Sequence, residues 1–162
     1  MEQARPPTDG ASNIISLFKY WTSIHPSEGL PGRRDFDPME IPQLLPKLWL
    51  VDAVGMPVRF RFRLVGTAIT SFTGRDSTGK WLDEVYDDFP NTGACRRMKR
   101  CVTTGEPLYQ RGNIISNPDT EGLEAERIYL PLASDNRSVD IIAIMTIYLG
   151  ERPINNTVMS LF

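Results

Sequence analysis

Residues 47–66 read KLWLVDAVGMPVRFRFRLVG, and their patterning decides what kind of sheet this chain builds. Leu48 to Val51 is a short apolar run, Gly55, Met56 and Pro57 supply turn chemistry, and a second strand follows from Val58. The stretch therefore predicts a β-hairpin. In its second strand Phe60, Phe62 and Leu64 alternate with Arg59, Arg61 and Arg63. Side chains along a strand point alternately to opposite faces, which puts the rings on one face and the guanidinium groups on the other. If that second face is covered, the arginines must find acceptors, because an unpaired charge in a covered layer is costly. Asp35, Asp37 and Glu40 in the preceding linker are the acceptors expected, in a structural ion-pair clasp, with ligand binding by the three arginines as the other reading.

Upstream of the hairpin, residues 1–10 hold prolines, a glycine and several charges, and are expected to be disordered. Ile14, Leu17, Phe18, Trp21 and Ile24 then recur at intervals of three and four, which predicts an amphipathic helix over residues 13–24, with Ser12 or Asn13 as its cap. Pro26 and Gly29 end it. Residues 11–45 read as this helix plus a proline-rich linker, in which Asp37 and Pro38 open a short helix over 38–45.

Downstream, residues 67–104 carry no strand-like run, only short segments broken by glycines and Pro90 and ending in the helical CRRMKRCVTT. After Gly105 come three strand candidates, PLYQRGNII, LEAERIYLPLA and VDIIAIMTIYLG, with turn signals at Asn117-Pro118 and Asp135-Asn136. The class is α+β, a five-stranded antiparallel sheet with a helical insert after the second strand, its core over residues 46–150 and a tail over 151–162. In Ile141 to Leu149 both alternating sets are apolar, so both sheet faces are covered. The N-terminal helix is the expected cover of the second face, either within its own chain or from a partner in a dimer.

A length of 162 residues suits one domain, and 41% hydrophobic with 23% charged residues is ordinary for a globular chain. Lys and Arg number 18 against 20 Asp and Glu, a net charge of -2 that implies neither a nucleic acid nor an anionic membrane as partner. No run of about 18 apolar residues and no signal peptide is seen, so the expectation is a cytoplasmic protein without membrane insertion. Cys95 and Cys101 lie six apart on one helix, turned about 240° from each other, and cannot pair within it.

The order of elements resembles the PAS domain, a sensory and interaction module that often holds a small molecule between its helices and its sheet. FKYW, LPGRRDFDP, LLPKLWLVDAV, RFRFRLVGTAI and GRDSTGKWLDEV, spread over about residues 14–90, are similar to the successive signatures of a bacterial PAS subgroup found as small stand-alone proteins. The resemblance implies signal transduction, a homodimer, a small-molecule ligand or signalling-protein partner, and no catalysis. The candidate dimer interface is Ile14, Leu17, Phe18 and Trp21. Phe60, Phe62, Phe72, Trp81, Tyr86, Met98, Tyr109, Ile144, Thr146 and Tyr148 are the candidate pocket lining, apolar with a few polar anchors.

No metal ligand set and no cofactor is expected. Haem in such a domain needs an axial histidine, and the single His25 sits beside Pro26, outside the core. A flavin photosensor needs an Asn-Cys-Arg signature, whereas Ala94-Cys95-Arg96 lacks the asparagine, and the last strand lacks the glutamine used at the flavin ring. The phosphate-loop pattern of Gly74 to Lys80 fails at Trp81, where a magnesium-binding hydroxyl is required. Arg96, Arg97, Lys99 and Arg100 read as a solvated helix face, with an acidic partner as the sharper alternative. The alternative in the enzyme class is a small α+β fold using Asp83 or Asp140 as a general base, and it requires that carboxylate to be deeply buried.

Overall fold

The computed structural model of the chain describes residues 1–113 and 124–150. The turn expected at Asn117-Pro118 and the tail 151–162 lie outside the described residues.

The hairpin forms, with strand β2 at Leu48–Val54 and β3 at Arg59–Val65, paired from Trp49 opposite Val65 to Val54 opposite Arg59. A register shift between Leu50 and Val51 breaks the alternation, however, and Leu64, expected beside Phe60 and Phe62, packs with Leu50 on the opposite sheet face. Strands β4 (Leu108–Asn113), β5 (Glu124–Leu132) and β6 (Ile141–Leu149) form the meander, and β6 folds back to pair with β2. A sixth, two-residue strand, β1 at Glu2–Gln3, lies against β4, giving the antiparallel order β1-β4-β5-β6-β2-β3. The reading of five strands and a disordered N-terminus missed it. An edge strand offers unpaired backbone groups, and here β4 takes them up with residues 1–3. The Met1 ammonium donates to the Arg111 carbonyl at 2.9 Å, and the Glu2 carboxylate accepts from Arg97 Nε at 2.6 Å.

Helix α1, Ser12–Ser23, packs on one sheet face of its own chain. Ile14 and Leu17 are fully buried there against Ile128, Leu130 and Met145, each apolar side chain contributing roughly 1.5–3 kcal/mol. Trp21 anchors the far end, its indole N–H donating to the Pro131 carbonyl at 2.9 Å. Pro131 is tolerated in β5 because β4 reaches only as far as Tyr129, so no β4 carbonyl awaits the missing N–H. The helix start is held differently from the expectation. Ala11 occupies the cap position, and its N–H donates at 2.7 Å to Glu126, a buried carboxylate of β5, in place of a cap by Ser12 or Asn13. The linker makes two 3-10 turns, Pro38–Glu40 and Leu45–Lys47, rather than one helix over 38–45, because its prolines interrupt the hydrogen-bond ladder.

On the other face lie α2 (Thr67–Thr73), α3 (Leu82–Val85) and α4 (Gly93–Thr104). Their apolar sides, among them Ile69, Leu82 and Met98, meet Trp49, Phe62, Tyr129 and Ile144 of the sheet. The core is therefore two layers separated by the sheet, as the two-sided apolar pattern of β6 requires.

Candidate functional site

On the helix-insert face the register sets the site. Arg127 of β5 is paired with Gln110 of β4 and Thr146 of β6, and a further step along β6 brings Tyr148 to the same face. This polar row crosses a sheet that is otherwise apolar. Arg127 is 4% exposed and Thr146 2%, so a cation and a hydroxyl are set in a covered layer. The Thr146 hydroxyl accepts from the Trp49 indole at 3.3 Å, which leaves its own hydrogen to donate elsewhere.

Beside this row, α2 leans on the Leu45–Lys47 turn. A Cβ on Gly66 would collide with the Leu45 and Pro46 carbonyl oxygens, so glycine is what lets the helix start so close to the turn. Between turn, helix and β6 a half-open cleft of about 190 Å³ remains, lined by Lys47, Ala68, Ile69, Thr146, Ile147 and Tyr148. Tyr148 is its aromatic wall, stacked on Phe72 with ring centroids 3.6 Å apart. Burial pushes the Tyr148 phenol up to about 12, against the opposing charge and hydrogen bonding of Arg127. The neighbouring Tyr86 ring lies under the Arg75 guanidinium, 4.8 Å from ring centroid to carbon. Arg75 donates to the Val85 carbonyl at 2.9 Å, and its buried Nε has no acceptor.

The ten pocket candidates separate by layer. Phe60, Phe62, Met98 and Ile144 face the helices and fill the core there, while Thr146 and Tyr148 line the cleft, Phe72 backs it and Tyr86 packs against the same layer. Tyr109 faces α1 on the opposite side of the sheet, and burial pushes its phenol up to about 12. Trp81 bridges to Arg61 at the sheet edge and lies on the arginine side, 4.3 Å from the Arg59 guanidinium. Lys47, Ile69 and Arg127 were not foreseen. Arg127 alone carried a signal, a charge inside a strand whose two faces are both covered.

The arginine clasp exists with other acceptors. Arg61 and Arg63 share Asp52 of the adjacent strand at 3.1 and 3.0 Å, and Arg59 makes a two-pronged contact with Asp83 at 2.9 and 2.7 Å. Asp35, Asp37 and Glu40 take no part, since they pair locally or stay exposed in the linker. Neither candidate base is deeply buried. Hydrogen bonding by Arg59 holds Asp83 below the usual carboxylate range, and Asp140 accepts from the exposed Ser134 N–H at 3.1 Å. A lowered pKa is the opposite of what a general base near neutrality needs. The candidate dimer residues Ile14, Leu17 and Trp21 are buried by the chain's own sheet, with Phe18 half-buried. His25 accompanies them, its ring 4.2 Å from that of Trp21, on the face away from the cleft. Among the described residues no cluster of His, Cys, Asp and Glu is placed to hold a metal ion, and no helix is long and apolar enough to cross a membrane.

Residues 10–146 match the family model described as PAS domain. No curated protein matches the chain. Among solved structures, a sensory box sensor histidine kinase from Vibrio cholerae superposes with a TM-score of 0.50 at 11% identity, covering 70% of this chain and 92% of that one. The PAS domain of Bordetella pertussis BvgS gives 0.49 at 17% identity, covering 72% and 90%. A Rhodobacter sphaeroides LOV protein gives 0.48 at 14%, covering 84% and 68%. At 11% identity the likeness to the Vibrio structure speaks for the fold alone.

Proposed function

The chain belongs to the PAS domain family, typically sensory modules, and from that premise we propose that it senses a small molecule in the cleft beside α2 and relays occupancy to a protein partner, without catalysis. The observation that carries this reading is the cleft itself: half-open, apolar on one side, and walled by Tyr148 and Thr146 on the other. Concave, largely apolar sites with a few polar groups are where small molecules bind. The cleft also lies between α2 and the strand end of β6, so filling it bears on the position of a short helix. A cytoplasmic homodimer belongs to the proposal, with a contact other than Ile14, Leu17 and Trp21.

Native mass spectrometry of the purified protein tests both halves. The expected result is a dimer that retains, or takes up, one small molecule per chain, with Ala68→Trp, at an exposed position of the cleft lining, abolishing uptake while preserving the fold by circular dichroism. A chain that takes up nothing from a broad set of small molecules loses the sensory half and is left as an adaptor. A haem or flavin band in its visible absorption spectrum would overturn the expectation that neither group is bound.

A further inference from the structure

Helix α4 carries its charges unevenly. Its inner side, Ala94, Cys95, Met98 and Cys101, is buried on the sheet, and its outer side holds Arg96, Arg97, Lys99 and Arg100, with no acidic residue among its 12. At about 100° per residue, Arg96, Lys99, Arg100 and Thr103 fall within one arc of about 100°, and all four are exposed. Among the described residues, lone cations without an ion pair occur elsewhere, as at Lys19 and Lys47. Four on one helix are a different matter in a chain whose net charge is -2.

That stripe works against the helix that carries it. Arg96 and Arg100 are four residues apart and Arg96 and Lys99 three, so like charges sit side by side on one face. The first turn holds no acidic residue to offset the positive helix end that Arg96 directly follows. Of the acids in the preceding turns, Asp83 and Glu84 hold Arg59 and Asp88 accepts from the Asn91 amide. Among the described residues none of these, nor Asp87, forms an ion pair with α4. Arg96 donates to the Asn91 carbonyl at 3.0 Å, a neutral acceptor that leaves its charge unmatched. The carboxylate that does reach this helix comes from β1, where Glu2 accepts from Arg97 at 2.6 Å. A carboxylate of an extended segment seated against α4 is thus already present once in the molecule, and Arg96, Lys99 and Arg100 have no equivalent among the described residues.

We propose that the outer face of α4 docks an acidic segment of a signalling protein, its carboxylates one helical turn apart and met by Arg96, Lys99 and Arg100. This rests on the relay half of the reading above and names the partner's chemistry. Carboxylates three or four residues apart on a partner helix match the cations, since side chains so spaced lie about 5–6 Å apart on either surface. Charge pairing of this kind speeds encounter and selects the partner more than it adds affinity, which suits a transient signalling contact. Nucleic acid fits less well: the stripe is about one turn long, and its uncharged members are threonines, with no aromatic ring to stack a base on. Met98 of α4 and Ile69 of the cleft belong to one packed layer, so the docking face and the cleft lie on the same side of the sheet.

Backbone amide shifts of the full chain are followed with three probes: a peptide of four Glu-Ala-Ala-Ala repeats, its counterpart with glutamine for glutamate, and a short DNA duplex. The acidic peptide is expected to move the signals of Arg96, Lys99, Arg100 and Thr103 and to bind at least about fivefold more tightly than the glutamine peptide. Its affinity should fall at least about fivefold between roughly 50 and 300 mM salt. Lys99→Gln combined with Arg100→Gln should cost at least about fivefold in affinity without lowering the melting temperature, because both side chains are exposed and repel Arg96. Lys19→Gln combined with Lys47→Gln removes the same charge off α4 and should leave the affinity unchanged. Equal binding of the two peptides, no shift at the α4 residues at millimolar acidic peptide, or an equal loss in the Lys19 and Lys47 variant each overturns the proposal. A duplex that shifts the same residues at lower concentration than the peptide overturns it in favour of a nucleic-acid partner. Small-molecule uptake in native mass spectrometry is read independently, so loss of this surface leaves the sensory half standing, and loss of uptake leaves this surface standing.

Discussion

At Asp52 a single carboxylate, 8% exposed, serves the guanidinium groups of both Arg61 and Arg63, which are themselves nearly half in water. The desolvation cost thus falls mainly on the acid, and two charge-assisted bonds offset it. Asp83 does the same work for Arg59 at the start of α3, where acidic residues also suit the positive helix end. The hydrogen bond from Arg59 and its charge lower the Asp83 pKa beneath its ordinary 3.8. A carboxyl whose folded pKa is depressed contributes stability that is complete above the unfolded value and is lost as pH falls through the folded one. Asp83→Asn is therefore expected to lower the melting temperature at neutral pH and down to about pH 4, with the gap to the unaltered protein closing below that. Melting curves over an acid pH series check this, and a gap that stays constant below pH 4 would count against the pair. Buried thiols behave in the opposite sense: burial raises Cys95 and carries Cys101 to about 12, so both act as small core side chains rather than as nucleophiles at neutral pH.

Among the elements, α2 is the one whose position the cleft depends on. It begins at a glycine with ordinary backbone angles, chosen for lack of bulk and not for conformational freedom. Any side chain there must push the helix off the carbonyls of Leu45 and Pro46, which are backbone atoms and cannot swing aside. Gly66→Ala is expected to destabilise by more than about 2 kcal/mol in urea denaturation, with amide shifts concentrated at Lys47, Ile69 and Tyr148. A loss below about 0.5 kcal/mol would mean that the turn yields and that the close approach is unimportant. Helix α4 is secured by conventional means, Thr92 Oγ1 accepting from the Cys95 N–H at 3.1 Å and Gly105 closing it in the left-handed region at φ 67°.

In the molecule as a whole, α1 is the cover that makes the sheet two-sided. A variant lacking residues 1–24 would expose Leu130, Leu132, Ala143 and Met145 together and leave Glu126 buried beside an absent helix start. It is expected to bind a hydrophobic dye and to lose a single cooperative unfolding transition, since a contiguous apolar face of this kind is not left open in a soluble monomer. A truncated chain that melts sharply and binds no dye would show that the helix is an accessory. The geometry also bears on dimerisation, because a helix engaged through Ile14, Leu17 and Trp21 has only its other side to offer a second copy.

The hairpin, the meander and the amphipathic helix were readable because each is a local period: two in RFRFR, three to four from Ile14 to Ile24. The two-sided cover followed from β6, whose alternating sets are both apolar. The PAS resemblance rested on the same local stretches, and the match over residues 10–146 agrees with it. Partners distant in sequence were not readable. Asp52 and not Asp37 meets the arginines because β2 and β3 align at that register, and Tyr109 faces α1 because of where β4 falls in its pleat. The cleft joins residues 47, 69, 146 and 148, which only the folding of β6 back onto β2 brings together. Local periodicity is written in neighbouring residues, whereas register and strand order are settled by the packing of the entire core, and it is there that the site was made.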